Sequence, residues 1–437
     1  METDRNRMLP SSPGASRGIP LRIPELDGLR ALMIFMVASY HIWQQSWLTP
    51  VIGNYSLDYL LRSGYVWVDG TILLSSFLLF LPYVRSKLEG KPLPDTREFY
   101  YRRARRILPS YYFILLLVFF AIALPWRLHS SPQFLVKDIA THLTFTFTFF
   151  YDTYLATPLG VACWTLAIEV QAYLLFPLLS RAALRRPGLT LCAMTLLCWG
   201  FRLWCVWSLK EFNLVVNQLL NFLDVYALGM LMALLFPRLR GLSRTRKTRW
   251  ILSAAATAIF FLSFWGLLSL LRFQAGSSIY NAGAGLGGKL AAWLGCSDPA
   301  SNYVVIQRNQ MVYRPLFALC FGGLMLSAPL AFRPLRFLLG NPVARFLSGI
   351  SMNFYLIHQT VIVHMRRVGF PASVSDLPNQ VGEQPWQTAY TLWAYGLSFA
   401  AAVLITYLVE KPAAKVIDRI RKKSAARRQR TVSTSGG

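Results

Sequence analysis

Long apolar runs dominate this chain and limit its fold more than any other feature. About 20 consecutive apolar residues suffice for a helix to cross the hydrocarbon core of a bilayer. Runs of that length, bounded by charge or by Pro and Gly, fall at 29–48, 64–84, 108–126, 160–180, 189–208, 218–237, 251–273, 310–331, 345–365 and 388–409. They predict an all-α, polytopic transmembrane helix bundle of about ten spans. The stretch 134–155 is apolar but interrupted by Lys137, Asp138 and Asp152, and reads as an interfacial or re-entrant piece. Composition agrees: 15% of the residues are charged, against about 25% in a soluble domain. That is too little polar side chain to cover a water-facing surface, so lipid is the expected solvent.

The net charge of +26, from 45 Lys and Arg against 19 Asp and Glu, has two readings. A nucleic-acid binder gathers its basic residues on one soluble face. A membrane protein places them in alternate short loops on the cytoplasmic side. Here eight lie between Arg85 and Arg106, six between Arg238 and Arg249, and nine after Glu410. That alternation excludes nucleic acid as the partner and places both termini in the cytoplasm. The polar N-terminus shows no small-residue cleavage site after its first apolar run and reads as an uncleaved tail. The expected organisation is a disordered cytoplasmic tail over 1–22, a membrane domain over 23–412 and a basic cytoplasmic tail over 413–437. The six cysteines form no Cys-x-x-Cys pair and lie mostly in apolar runs, so they read as packing residues and no metal is expected. No internal repeat is visible, which weighs against transporters built from two related halves.

Ionisable groups in a bilayer are costly, so each one inside a span is a functional candidate. In the first span Arg30 and His41 are eleven residues apart. At 3.6 residues per turn they share a helix face, and at 1.5 Å per residue they lie about 16 Å apart along the axis. They do not touch. Arg30 would sit at the cytoplasmic rim, suited to a phosphorylated donor. His41 lies beyond mid-depth and suits a general base. The bland alternative is a snorkelling Arg30 and a helix–helix hydrogen bond from His41. Asp69 stands near the outer part of the second span and needs a partner. Arg102, Arg103, Arg105 and Arg106 meet the membrane before the third span, either as a topology signal and lipid contact or as a phosphate clamp. Glu169 and Tyr173 share a helix face in the fourth span. His358 and His364 are six residues apart and do not form a zinc pair of the i, i+4 kind. Glu410 at the cytoplasmic rim reads as a partner for a nearby Lys or Arg.

Taken in order, LDGLRALMIFMVASYH, VWVDGTILLSSFLL, YRRARRILPSYY, CWTLAIEVQAYLLFPLL, FYLIHQ and VEKP resemble the integral-membrane acyltransferase type 3 family. That family includes O-acetyltransferases of bacterial surface polysaccharides. The resemblance covers nearly the whole chain and implies about ten transmembrane helices. It also implies transfer of an acyl group, most often acetyl, from cytoplasmic acyl-CoA to a hydroxyl of a surface or secreted glycan. Carried over, His41 is the catalytic histidine, with Asp69 and Glu169 as further functional acids. Arg30, Arg103 and Arg106 belong to the donor side, with Arg102 and Arg105 beside them. Two departures stand out: Ser76 replaces a glycine common in the second-span motif, and Val170 and Ala172 replace residues often Glu and Phe. A transporter or flippase of glycan precursors, using the same buried charges without covalent chemistry, is the rival class.

Overall fold

The computed structural model describes residues 22–160, 163–243, 245–280, 285–296 and 301–434. They form an all-α membrane bundle, with a two-residue hairpin pairing Val51–Ile52 and Tyr55–Ser56 as the strand pair among them. The helices begin with α1 (Glu25–Ser46), α2 (Asp58–Arg62), α3 (Trp67–Leu88) and α4 (Thr96–Val118). Next come α5 (Pro132–Leu143), α6 (Tyr151–Leu155), α7 (Trp164–Arg185), α8 (Pro187–Ser208) and α9 (Leu223–Gly241). Then follow α10 (Arg246–Tyr280), α11 (Leu286–Trp293), α12 (Asn302–Ser327) and α13 (Arg333–Gly340). The chain closes with α14 (Pro342–Arg367), α15 (Trp386–Leu404) and α16 (Lys411–Thr434).

Among the described residues, nine helical segments are long and apolar enough to cross a membrane. They match nine of the ten expected runs. The tenth, α1, has 22 residues, about 33 Å at 1.5 Å per residue, but its Arg, His and Gln residues make it less apolar. It compensates by position, packing against α3, α13, α14 and α15 inside the bundle. The periphery shows which solvent the fold expects. On α10, Phe261, Leu262 and Trp265 are all exposed, as are Leu196 and Leu197 on α8. Exposed apolar helix faces of this extent fit a lipid surface.

The centre is α3, whose Ile72, Leu73, Phe77 and Phe80 are fully buried. It crosses α9 and α12 closely because small residues stand at the contacts. A Cβ on Gly229 would lie 2.7 Å from the Leu73 carbonyl oxygen. Ser76, small enough for that crossing, donates its hydroxyl to the Tyr226 carbonyl at 2.7 Å. Gly28 plays the same part in α1, where a Cβ would run into the Leu339 carbonyl oxygen. The glycine of the opening motif therefore seats α1 against the end of α13.

The structure draws element boundaries that hydropathy does not mark. The arginine-rich segment before the third expected span is part of α4, which starts at an Asp95 N-cap accepting the Glu98 amide at 2.8 Å. Capping of this kind sets a helix start independently of hydropathy. The stretch 134–155 folds as the short helices α5 and α6. Its Asp138 is buried and clasped by His129 at 3.0 Å and by the Thr157 hydroxyl at 2.9 Å. Lys137 bonds Asp152 at 2.7 Å and holds that carboxyl below its usual range. At the other end, α15 runs through a wide helical turn at Ile405–Glu410 directly into α16. Asp418 of α16 accepts the Tyr101 hydroxyl at 2.7 Å and the Arg105 guanidinium, and Arg421 reaches Glu98. The helix thus continues across position 412 and docks on α4.

Candidate active site

At one end of the bundle α1, α4, α14 and α16 enclose a cavity of about 440 Å³. Seven arginines line it: Arg22, Arg30, Arg102, Arg103, Arg105, Arg106 and Arg345; against them stand Asp27 and Glu410. Both carboxylates have partners. Asp27 pairs with Arg22 at 2.7 Å, and Glu410 accepts the Asn353 amide at 2.7 Å in place of the Lys or Arg anticipated for it. Arg105 goes to Asp418, and Arg102 lies 3.7 Å from Glu98. Arg30, Arg103, Arg106 and Arg345 have no ion-pair partner among the described residues. The spacing of α4 explains the grouping: 102 and 106 are one turn apart, and 103 and 106 nearly so. A pocket carrying this unbalanced positive charge, with guanidiniums free to bind in bidentate fashion, is built for phosphate-like anions.

Further into the bundle, Tyr173 donates its hydroxyl to Glu169 at 2.7 Å. Glu169 and Tyr173 lie in the electrostatic field of Arg30, Arg103 and Arg106. Tyr355 bridges onward, bonding Thr165 and lying within the field of Glu169. One turn along α14 from Tyr355 stands His358, fully buried. Its ring lies beside that of His41, with centroids 5.3 Å apart. His41 is fixed through Nδ1, which donates to Gln44 Oε1 at 2.9 Å, while the Gln44 amide donates to the Tyr40 hydroxyl at 2.9 Å. Around this histidine end lies a layer of tyrosines and amides. Tyr40 packs edge-on against Tyr65 at 5.2 Å, and Gln274 donates to the Tyr65 hydroxyl at 2.7 Å. Asn217 donates to Tyr154 at 2.7 Å, and Gln307 to Asn213 at 2.9 Å. In α12 the run Gln307, Arg308, Asn309 and Gln310 is buried on every side.

The expected residues thus fall into three places. Arg30, Arg102, Arg103 and Arg106 share the arginine cavity. Glu169 occupies the middle and His41 the far end. Asp69 stands apart: it is buried against Arg314, at 3.1 Å, in a network absent from the sequence reading. Arg314 also donates to the Val216 and Asn221 carbonyls at 3.1 Å and stacks on Phe222 at 3.8 Å. Next to it Arg202 forks onto Asp224 at 2.6 and 2.8 Å and onto Asn221 Oδ1 at 2.8 Å. Arg202 and Arg314 each stand inside an apolar run, the same signal that singled out Arg30. His358 was visible as well, but only the fold shows that its neighbour is His41 and not His364.

Fold and site together define a polytopic membrane protein with an arginine-lined cavity at one end and a histidine pair at the other. The family model described as Acyltransferase domain (type 3) matches residues 23–411. The chain belongs to that family. It is similar to the O-acetyltransferase OatA of Staphylococcus aureus, 26% identical over 178 residues, a match covering 38% of this chain and 26% of the relative. It is also similar to the peptidoglycan O-acetyltransferase OatA of Listeria monocytogenes, 28% identical over 168 residues, covering 36% of this chain and 24% of the relative. These matches span about a quarter of the length of the curated relatives. No solved structure matches the chain.

Proposed function

We propose that this protein is a membrane-bound O-acyltransferase that moves an acyl group, acetyl in the simplest case, from cytoplasmic acyl-CoA to a hydroxyl of a surface or secreted glycan. The observation that carries the donor assignment is the arginine cavity. Coenzyme A presents a pyrophosphate and a ribose phosphate, and four guanidiniums without an ion-pair partner among the described residues match that charge. Arg30 and His41 are about 16 Å apart along α1, a distance that the extended pantetheine arm is suited to bridge. The arm would run past Glu169 and Tyr173 to bring the thioester to His41.

The acceptor assignment rests on the histidine end. Tyrosine faces pack on the C–H faces of sugar rings, and amides hydrogen-bond vicinal hydroxyls in the manner of small-molecule sites with few placed polar groups. The named activities of the two relatives, O-acetylation and peptidoglycan O-acetylation, support the same class. In the reaction His41 Nε2 takes the proton of the acceptor hydroxyl as its oxygen attacks the thioester carbonyl. The C–S bond then breaks, and the same proton goes to the leaving thiolate. The barrier falls through positioning and through a dry site in which fixed dipoles act strongly.

The test uses the purified full chain in lipid with labelled acetyl-CoA and candidate glycans. Acceptor-dependent release of free thiol is expected, and His41→Ala should lower it by at least about 100-fold, the usual scale of general-base catalysis. Equal transfer by wild type and variant would overturn the role of His41. Movement of an intact glycan without thiol release would favour the transporter reading.

A further inference from the structure

His358 has the chemistry of a reacting group and no structural use for half of it. Its Nδ1 lies 2.7 Å from the Tyr355 carbonyl oxygen. A carbonyl only accepts, so Nδ1 carries the hydrogen and Nε2 carries the lone pair of the neutral ring. That Nε2 is buried and without a hydrogen-bond partner among the described residues. Buried polar atoms without partners are rare and call for an explanation. The same logic applies across the gap. Gln44 gives its amide hydrogen to Tyr40 and turns its oxygen to His41 Nδ1, so His41 also keeps Nε2 as its lone-pair nitrogen. Two imidazoles, each with its donor side tied down and its acceptor side uncommitted, stand with ring centroids 5.3 Å apart. For a merely structural histidine the Nδ1 bond would suffice, and an apolar neighbour would cover the rest.

We propose that His358 is a second proton-handling residue of the transfer site, acting with His41 on one shared proton; this rests on the acyltransferase reading above. When His41 Nε2 takes the acceptor's proton, it becomes a donor on the ring neighbouring His358, whose Nε2 is vacant. Hydrogen bonding to that nitrogen spreads the imidazolium charge inside an apolar environment, where an isolated charge is costly. The proton then returns through His41 to the thiolate as the C–S bond breaks. The balance is closed: one O–H and one C–S bond break, one C–O and one S–H bond form, and both histidines end neutral.

The groups around His358 are few. His41 faces it from α1, and Tyr355 adjoins it on α14. Tyr154, Cys163 and Glu169 act on Tyr355 electrostatically. Two variants separate the roles of the ring nitrogens. His358→Asn keeps an amide hydrogen near the Nδ1 position for the Tyr355 carbonyl but has no lone pair at Nε2. His358→Gln places a non-basic amide near Nε2. Both should lower kcat for acceptor-dependent thiol release by about 100-fold with KM for acetyl-CoA unchanged, while His364→Ala retains the wild-type rate. Full activity in His358→Asn would overturn the proposal.

A second readout needs no turnover. In protein labelled with ¹⁵N-histidine and reconstituted in lipid, His41 and His358 should take up one proton between them as pH falls. His358→Asn should leave His41 titrating alone at a displaced midpoint. An unmoved His41 midpoint would overturn the pair. A wild type with a shared titration but no thiol release from any acyl-CoA would instead overturn the acyltransferase reading and leave the pair standing. The same measurement covers the case in which a His358 variant fails to fold, because the wild-type titration alone decides between one shared proton and two independent ones.

Discussion

Arg102 and Arg106 are one turn apart on α4, yet their surroundings differ. Arg102 has Glu98 at 3.7 Å, whereas Arg106 faces the cavity without an ion-pair partner among the described residues. A hydrogen bond to a charged group contributes about 1.5–3 kcal/mol, so Arg106→Ala should raise KM for acetyl-CoA by about 10- to 100-fold. Arg102→Ala should raise it less. Thiol-release kinetics over a range of acetyl-CoA concentrations check both. Asp69 calls for the opposite kind of prediction. Removing one partner of a buried ion pair strands the other, at about 3–5 kcal/mol. Asp69→Asn should therefore lower the thermal unfolding midpoint in detergent. A variant with normal melting and lost turnover would support the catalytic role expected from the sequence. At this scale the sequence was informative where a costly residue stood inside an apolar run, as with Arg30, His41 and Glu169. It was silent on partnership: Asp69 and Arg314 are 245 positions apart, and no spacing rule joins them. Arg202 and Arg314 carried the same signal as Arg30 but lay outside any recognised motif.

Among the elements, α1 is the most consequential, since it carries both Arg30 and His41 between α3 and α14. Its seat depends on Gly28. In Gly28→Ala the new Cβ would meet Leu339 backbone atoms, which cannot swing aside as a side chain can. Overpacking of this kind costs about 1–3 kcal/mol. The expected outcome is a lower melting midpoint together with a raised KM for the donor, because α1 shifts Arg30 as it moves. Gly188→Ala, with nothing within 4 Å, is the control and should leave both unchanged. Element existence was legible because a run of about 20 apolar residues has few other fates. The boundaries were less so. Hydropathy marks where a helix enters hydrocarbon, whereas Asp95 and Ser301 mark where α4 and α12 begin, each accepting a backbone amide two or three residues into its helix. The four arginines of α4 and the polar run of α12 lie in the gap between those two signals, and both are where the site is built.

For the molecule as a whole, the two ends differ in chemistry: a cluster of guanidiniums at one, and at the other mostly tyrosines, amides and imidazoles with the buried Arg308 of α12 among them. A one-sided reaction would gather its groups at one end. This separation instead suits a donor that enters from one face and an acceptor that waits at the other, with the bundle as the wall between them. Charge makes the consequence measurable. Attraction of a polyanionic donor to exposed arginines weakens as the Debye length falls from about 10 Å at 0.1 M salt to about 3 Å at 1 M, whereas recognition of a neutral sugar does not. In inverted membrane vesicles, which turn the cytoplasmic face outward, acetyl-CoA added outside should acetylate a glycan trapped inside. Rising salt should increase KM for acetyl-CoA and leave KM for the glycan nearly constant. The positive-inside distribution predicts a cytoplasmic arginine end, so vesicles of the native orientation given external acetyl-CoA should release little thiol. Equal release from both orientations, or transfer only when donor and acceptor share a side, would refute the two-faced arrangement while leaving the chemistry at His41 to be judged by its own variant.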